Sequence, residues 1–185
     1  MASFTRRAIT GHLPVAAALM TAAPASAASP SVEAFEAIYS AEWSWRLQQY
    51  PDDQDEDRPI APYLPDVTPT TQEARLRTWR EVQAKLAALD ASGLDQEGRI
   101  NLAVYRGQID ALATSQAFRD WEAPANSDTS FWGELAEKGR RSFRTEADYR
   151  GYIAQLGQTR RYFADQTENM RAGLRRGFTP PKVTL

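Results

Sequence analysis

Apolar residues in this chain recur every three or four positions, in stretches separated by proline, glycine and polar runs, which is the period of a buried helix face. Phe35, Ile38, Tyr39 and Trp43 share the first such face; Ser31 predicts its cap, Glu33 suits its positive end, and Pro51 predicts its stop. Residues 51–69 hold five prolines and an acidic run, and predict a loop. Thr70 and Glu73 have the spacing of a capping box. They open a second helix with Leu76, Trp79, Val82, Leu86 and Leu89 on one face, and Gly93 is placed as its left-handed stop. Asp95 opens a third, with Ile100, Val104, Ile109 and Leu112 inward and Gly107 placed for a close helix crossing. Residues 121–130 read as a loop, followed by a short turn of helix over 131–136.

Thr145 with Asp148 predicts the cap of a fourth main helix, whose Tyr149, Tyr152, Ile153 and Leu156 share a face. Thr159 opens a fifth through Tyr162, Phe163, Met170 and Leu174, stopped by Gly177 and Pro180. Only Val183-Thr184-Leu185 has a strand-like pattern. The expected class is all-α: about five main helices in an irregular antiparallel array.

The first 27 residues predict an export signal. Arg6 and Arg7 form a basic start, Leu13 to Ala23 a short apolar run, and Ala25-Ser26-Ala27 a small-x-small cleavage site. The run is too short to cross a membrane, which takes about 20 apolar residues. Thr5-Arg6-Arg7-Ala8-Ile9 also fits the opening of a twin-arginine signal. The chain therefore divides into a signal, 1–27, and a helical region, 28–185, expected in the periplasm or secreted, with no membrane span.

Export changes the available chemistry. His12 is the only histidine and lies within the signal, and the chain has no cysteine. Without them the mature region builds neither a Ser-His-Asp triad nor a typical zinc site. Charge is uneven: residues 31–137 carry nine Lys or Arg against 20 Asp or Glu, whereas residues 138–185 carry eleven against four. Attraction between parts of one fold, or with other sequence, explains this more simply than a nucleic-acid site, because acids interleave the basic segment.

The side chains worth weighing are few. Asp53, Asp55 and Asp57 begin like a calcium loop, but Arg58 stands at its glycine position and Leu64 at its bidentate carboxylate. Glu42 lies among Tyr39, Trp43 and Trp45 with Arg46 one turn on. A carboxylate there could serve as an acid, but an intrahelical ion pair on the rim of the core is the simpler expectation. Trp43 and Trp79 fit core faces, which leaves Trp121 and Trp132 as candidate pocket walls. Arg171, Arg175 and Arg176 end a helix, where cations complement the dipole. No catalytic, cofactor or metal residue is assigned.

Several segments are nevertheless similar to a known family. They are Asp148 through Leu156, Tyr162-Phe163, Asn169 through Lys182, Ala41 through Arg46, Leu64-Pro65-Asp66 and the loop from Trp121 to Trp132. Together they resemble the N-terminal part of the bacterial proteins grouped as domain of unknown function 885. The resemblance implies an exported, largely helical protein, longer than this chain and similar to helical zinc metallopeptidases. It implies a zinc site of the His-Glu-x-x-His kind beyond Leu185, and a peptide-like substrate for the full-length protein. No position here matches that motif, so the resemblance makes this chain an N-terminal fragment, inactive alone, with the rest of its domain as partner. The alternative is a complete extracytoplasmic helical binding or scaffold module.

Overall fold

The computed structural model describes residues 29–51, 59–125 and 130–184. Those residues form six α-helices and no strand: α1 (Pro30–Gln49), α2 (Pro69–Ala88), α3 (Gln96–Phe118), α4 (Phe131–Lys138), α5 (Glu146–Gly157) and α6 (Thr159–Arg175). Single 3-10 turns cover Asp120–Glu122 and Lys182–Thr184. The predicted signal and the acidic run lie outside the described residues.

Caps set the helix starts. Ser29, not Ser31, caps α1, and Thr68, not Thr70, caps α2; each accepts from the backbone N–H three residues on. The shift has one cause: Pro30 and Pro69 occupy the first helical position, where φ is already helical and no N–H is needed. Asp95 caps α3 and Thr145 with Asp148 forms a complete capping box on α5, both as expected. Gly177, at φ 75°, ends α6 with the Phe178 N–H donating to the Gly173 carbonyl at 2.9 Å. Val183 and Thr184, from the run with a strand-like pattern, are part of a 3-10 turn, with Val183 exposed.

The main core lies between α2 and α3, with α1 across them. Trp79, Val82 and Leu86 of α2 meet Leu102, Tyr105, Ile109 and Ala113 of α3, and Val32, Phe35, Ile38 and Trp45 of α1 pack on that cluster. The Trp45 and Trp79 rings meet edge to face at 5.4 Å. A smaller cluster of Leu64, Val67, Phe131 and Tyr162 joins the loop before α2 to α4 and α6.

Helix α5 turns a different face inward from the one its apolar spacing predicts, and α3 keeps its predicted face only in its second half, where Ile109 is buried and Leu112 packs on the core. On α3, Ile100 and Val104 (68 % exposed) point outward, and Leu102, Tyr105, Ile109 and Ala113 point in. On α5, Tyr149, Ile153 (65 % exposed) and Leu156 point outward, and Asp148, Gly151 and Gln155 are buried. Gly107 makes no helix crossing, since a Cβ there would meet nothing within 4 Å. Gly93 is not a left-handed stop; a Cβ there would lie 2.7 Å from the Ser31 hydroxyl, so glycine allows the start of α1 to approach.

Residues 59–67 explain α5. They run as an extended strap over the helix, with Ile60, Leu64 and Val67 buried. A Cβ on Gly151 would lie 2.2 Å from the Ile60 carbonyl oxygen, so only glycine lets the strap lie down. The polar side of α5 faces inward because the strap backbone needs partners there.

Candidate functional site

Glu42 is 3 % exposed and occupies the middle of the α1–α2–α3 core. One of its oxygens accepts from Arg46 Nε at 2.8 Å and Trp79 Nε1 at 3.1 Å. The other accepts from Arg46 Nη2 at 2.8 Å and the Tyr105 hydroxyl at 2.9 Å. The expected ion pair exists, but in the interior rather than on the rim. Its further partners come from α2 and α3, 37 and 63 residues away, so neighbouring sequence carries no signal of them. Burial, with the charge and hydrogen bond of Glu42, pushes the Tyr105 phenol far above its ordinary range. With both oxygens doubly occupied, Glu42 has no acceptor site for a substrate. It ties three helices together.

Glu122 is a second buried carboxylate, which the reading of 121–130 as a plain loop does not reveal. Arg119 reaches one of its oxygens and Arg176 the other. Arg176 also donates to the Phe118 carbonyl at 3.0 Å and stacks on Phe178 at 4.3 Å, so it ties the end of α6 to the turn after α3. Gly173 makes the approach possible, because a Cβ there would come within 2.7 Å of the Glu122 carbonyl oxygen. Arg171 pairs with Glu168 at 2.5 Å on the surface, and Arg175 is exposed in the last turn of α6.

Arg75 is buried without a carboxylate in ion-pair contact among the described residues. Its guanidinium donates to the Gln49 side chain at 3.2 Å, the Gln49 carbonyl at 3.4 Å and Gln72 at 3.0 Å, under the Tyr50 ring at 4.6 Å. Burial pulls its pKa below the ordinary arginine value.

The strap is held by side chains that read its backbone. Gln155 donates to the Ala61 carbonyl at 2.8 Å, Gln158 to that of Pro62 at 2.9 Å, and Asn169 to that of Val67 at 2.7 Å. The Leu64 N–H donates to Gln158 at 3.2 Å and the Ile60 N–H to Asp148 at 3.3 Å. Asp148 also accepts from the backbone of Thr145 and Arg144. Its hydrogen bond from the Thr145 backbone, above all, holds its pKa below the ordinary aspartate value.

The candidate tryptophans have local contacts. Arg119 stacks on Trp121 at 5.2 Å, and Trp132 meets Phe131 edge to face at 5.0 Å while staying exposed. Neither lines the apolar groove beside α4, whose walls are Leu135, Ala136, Tyr152, Leu156 and Phe163. Trp43 is half-buried beneath Arg46 at 5.5 Å. Asp53, Asp55 and Asp57 lie outside the described residues. Among the described residues no three His, Cys, Asp or Glu side chains converge as metal ligands.

Among family models, one described as bacterial protein of unknown function (DUF885) matches residues 53–185. No curated protein and no solved structure matches the chain.

Proposed function

Since this chain belongs to the DUF885 family, we propose that it is the leading helical region of an exported bacterial protein whose metallopeptidase-like chemistry is carried by sequence outside these residues. The observation behind this reading is the chain's donor inventory. A catalytic zinc takes three protein ligands rich in imidazole or thiolate, and keeps a fourth position for the water that it acidifies. This chain has no cysteine and one histidine, His12, inside the proposed signal. Its buried glutamates are already engaged: both oxygens of Glu42 accept from Arg46 and from Trp79 or Tyr105, and Glu122 is ion-paired with Arg119 and Arg176. These residues do not fit a zinc ion. Zinc and a peptide-like substrate belong, in this reading, to the full-length protein.

The role left to this region is structural. Glu42 ties the middles of α1, α2 and α3, Glu122 ties the end of α6 to the turn after α3, and the strap before α2 lies on α5 and α6, which suits a rigid wall against the rest of its own domain. Export follows from the signal, with cleavage after Ala27; N-terminal sequencing of exported protein should begin at Ala28, and a periplasmic chain starting at Met1 would contradict it. The enzymatic part is tested on peptide substrates with this chain and with the polypeptide encoded through and beyond Leu185. The expected result is turnover by the longer polypeptide only, abolished by a chelator. Turnover by this chain alone, or a longer polypeptide indifferent to chelation, would overturn it.

A further inference from the structure

Helix α3 carries a glycine that no contact among the described residues requires. Gly107 lies in the helix interior, where glycine is less stable than alanine, and a Cβ there would meet nothing within 4 Å. One turn before it, the exposed Val104 forms the rim of a groove of about 330 Å3 between α1 and α3. The other walls are Phe35, Tyr39, Asn101, Tyr105 and Gln108, none of them charged. Phe35 and Tyr39 stand edge to face against Tyr105, with ring centres 5.9 and 5.3 Å away, so the rings form a platform and not a cage. Tyr39 remains 44 % exposed. The Tyr105 hydroxyl is committed to Glu42, whereas the Tyr39 hydroxyl and the Asn101 and Gln108 amides have no hydrogen-bond partner among the described residues. Those two amides are two turns of α3, about 10 Å, apart.

We propose that this groove binds a neutral saccharide, with a sugar ring on Tyr39 and its hydroxyls on the Asn101 and Gln108 amides. A sugar ring has a face of C–H groups, which suits the negative face of an aromatic ring. Its rim of hydroxyls donates and accepts, as an amide does. An anion finds no partner here: Glu36 and Glu97 adjoin the walls in sequence, and Arg99 and Arg106 are turned to the Leu94 and Leu86 carbonyls. A platform does not surround a cation as recognition of a quaternary ammonium requires. An extended peptide takes its affinity from a free strand edge, and both walls here are helices. Gly107 then has a role, because the missing side chain leaves room beside Val104 for a ligand longer than one ring. Saccharide binding needs neither zinc nor turnover, so it stands or falls apart from the enzymatic reading.

The test is calorimetric titration of the chain with maltotetraose, cellotetraose and chitotetraose, which are neutral and cover both anomeric linkages. At least one should bind with a Kd of about 1 mM or tighter. Tyr39→Ala should weaken that binding by at least about fivefold, through loss of the stacking ring. Tyr39 also touches the core through Tyr105, so a second variant is placed wholly on the surface. The double substitution Asn101→Ala with Gln108→Ala, both at exposed positions, should weaken binding by at least about fivefold with the thermal melt retained. No binding of any of these sugars at about 10 mM, or binding that either variant leaves unmoved, overturns the proposal. So does an acetylated and amidated alanine tetrapeptide that binds as tightly, which would make the groove a peptide site. Self-association of the chain that Val104→Glu abolishes would make a second copy the occupant and overturn it as well.

Discussion

Each oxygen of Glu42 accepts two hydrogen bonds, and the four donors come from three helices. Removing the carboxylate charge leaves the Arg46 guanidinium buried without its counter-ion. Glu42→Gln should therefore destabilise the fold by about 3–5 kcal/mol, read as a shifted urea midpoint. A loss under about 1 kcal/mol would show that the ion pair is effectively solvated. Tyr105 adds a pH dependence. Its folded pKa is raised above the ordinary 10.0, so the unfolded chain releases the phenolic proton first. The contribution is complete below pH about 10 and is lost as pH rises through the folded value. Alkaline unfolding should thus steepen above pH about 10, and Tyr105→Phe should flatten it while lowering stability at neutral pH. Identical alkaline profiles for the two proteins would contradict this. The sequence points to the Glu42–Arg46 pair, because the spacing is local. It gives no sign of Trp79 and Tyr105 as partners, because only the fold brings them in.

At the scale of elements, local rules were legible, as was the inward face of α2 with Trp79, Val82 and Leu86, but the face of α5 and of the first half of α3 was not. The capping box at Thr145 and Asp148 is readable because its parts are three residues apart. The first two caps are displaced by two residues because Pro30 and Pro69 start their helices early. Helices α3 and α5 each have two candidate faces. The deciding contacts, Tyr105 to Glu42 and the strap to Gly151, are far away in sequence, so apolar spacing alone wrongly turns inward Ile100 and Val104 of α3 and Tyr149, Ile153 and Leu156 of α5. Two glycines test this account against each other. Gly151→Ala places a Cβ against the Ile60 carbonyl and should destabilise by about 1–3 kcal/mol. Gly107→Ala meets open space in a helix interior and should stabilise by about 0.5–1 kcal/mol. Thermal melts of the pair should move in opposite directions; a harmless Gly151→Ala would mean that the strap does not lie on α5 as described.

The whole molecule combines a well-packed α1–α3 core, a second cluster around Phe131 and Tyr162, and apolar helix faces left open on α3 and α5. Its helical class was readable from periodicity, and its family from the segments at 64–66 and 148–182, which lie within the match over residues 53–185, whereas the segment at 41–46 lies outside it. A catalytic site was not readable, and the geometry accounts for the side chains that invited one: Glu42 is a core tie, Trp121 stacks with Arg119 and Arg176 clasps Glu122. In the proposed reading, this region supports a metallopeptidase-like protein without itself holding the metal. Calorimetric titration of zinc into residues 28–185 tests it most directly. Carboxylates favour calcium or magnesium, and here the buried ones are already paired, so the predicted result is no stoichiometric zinc binding at sub-micromolar affinity. A one-to-one zinc site of that affinity, reversed by a chelator, would contradict the account.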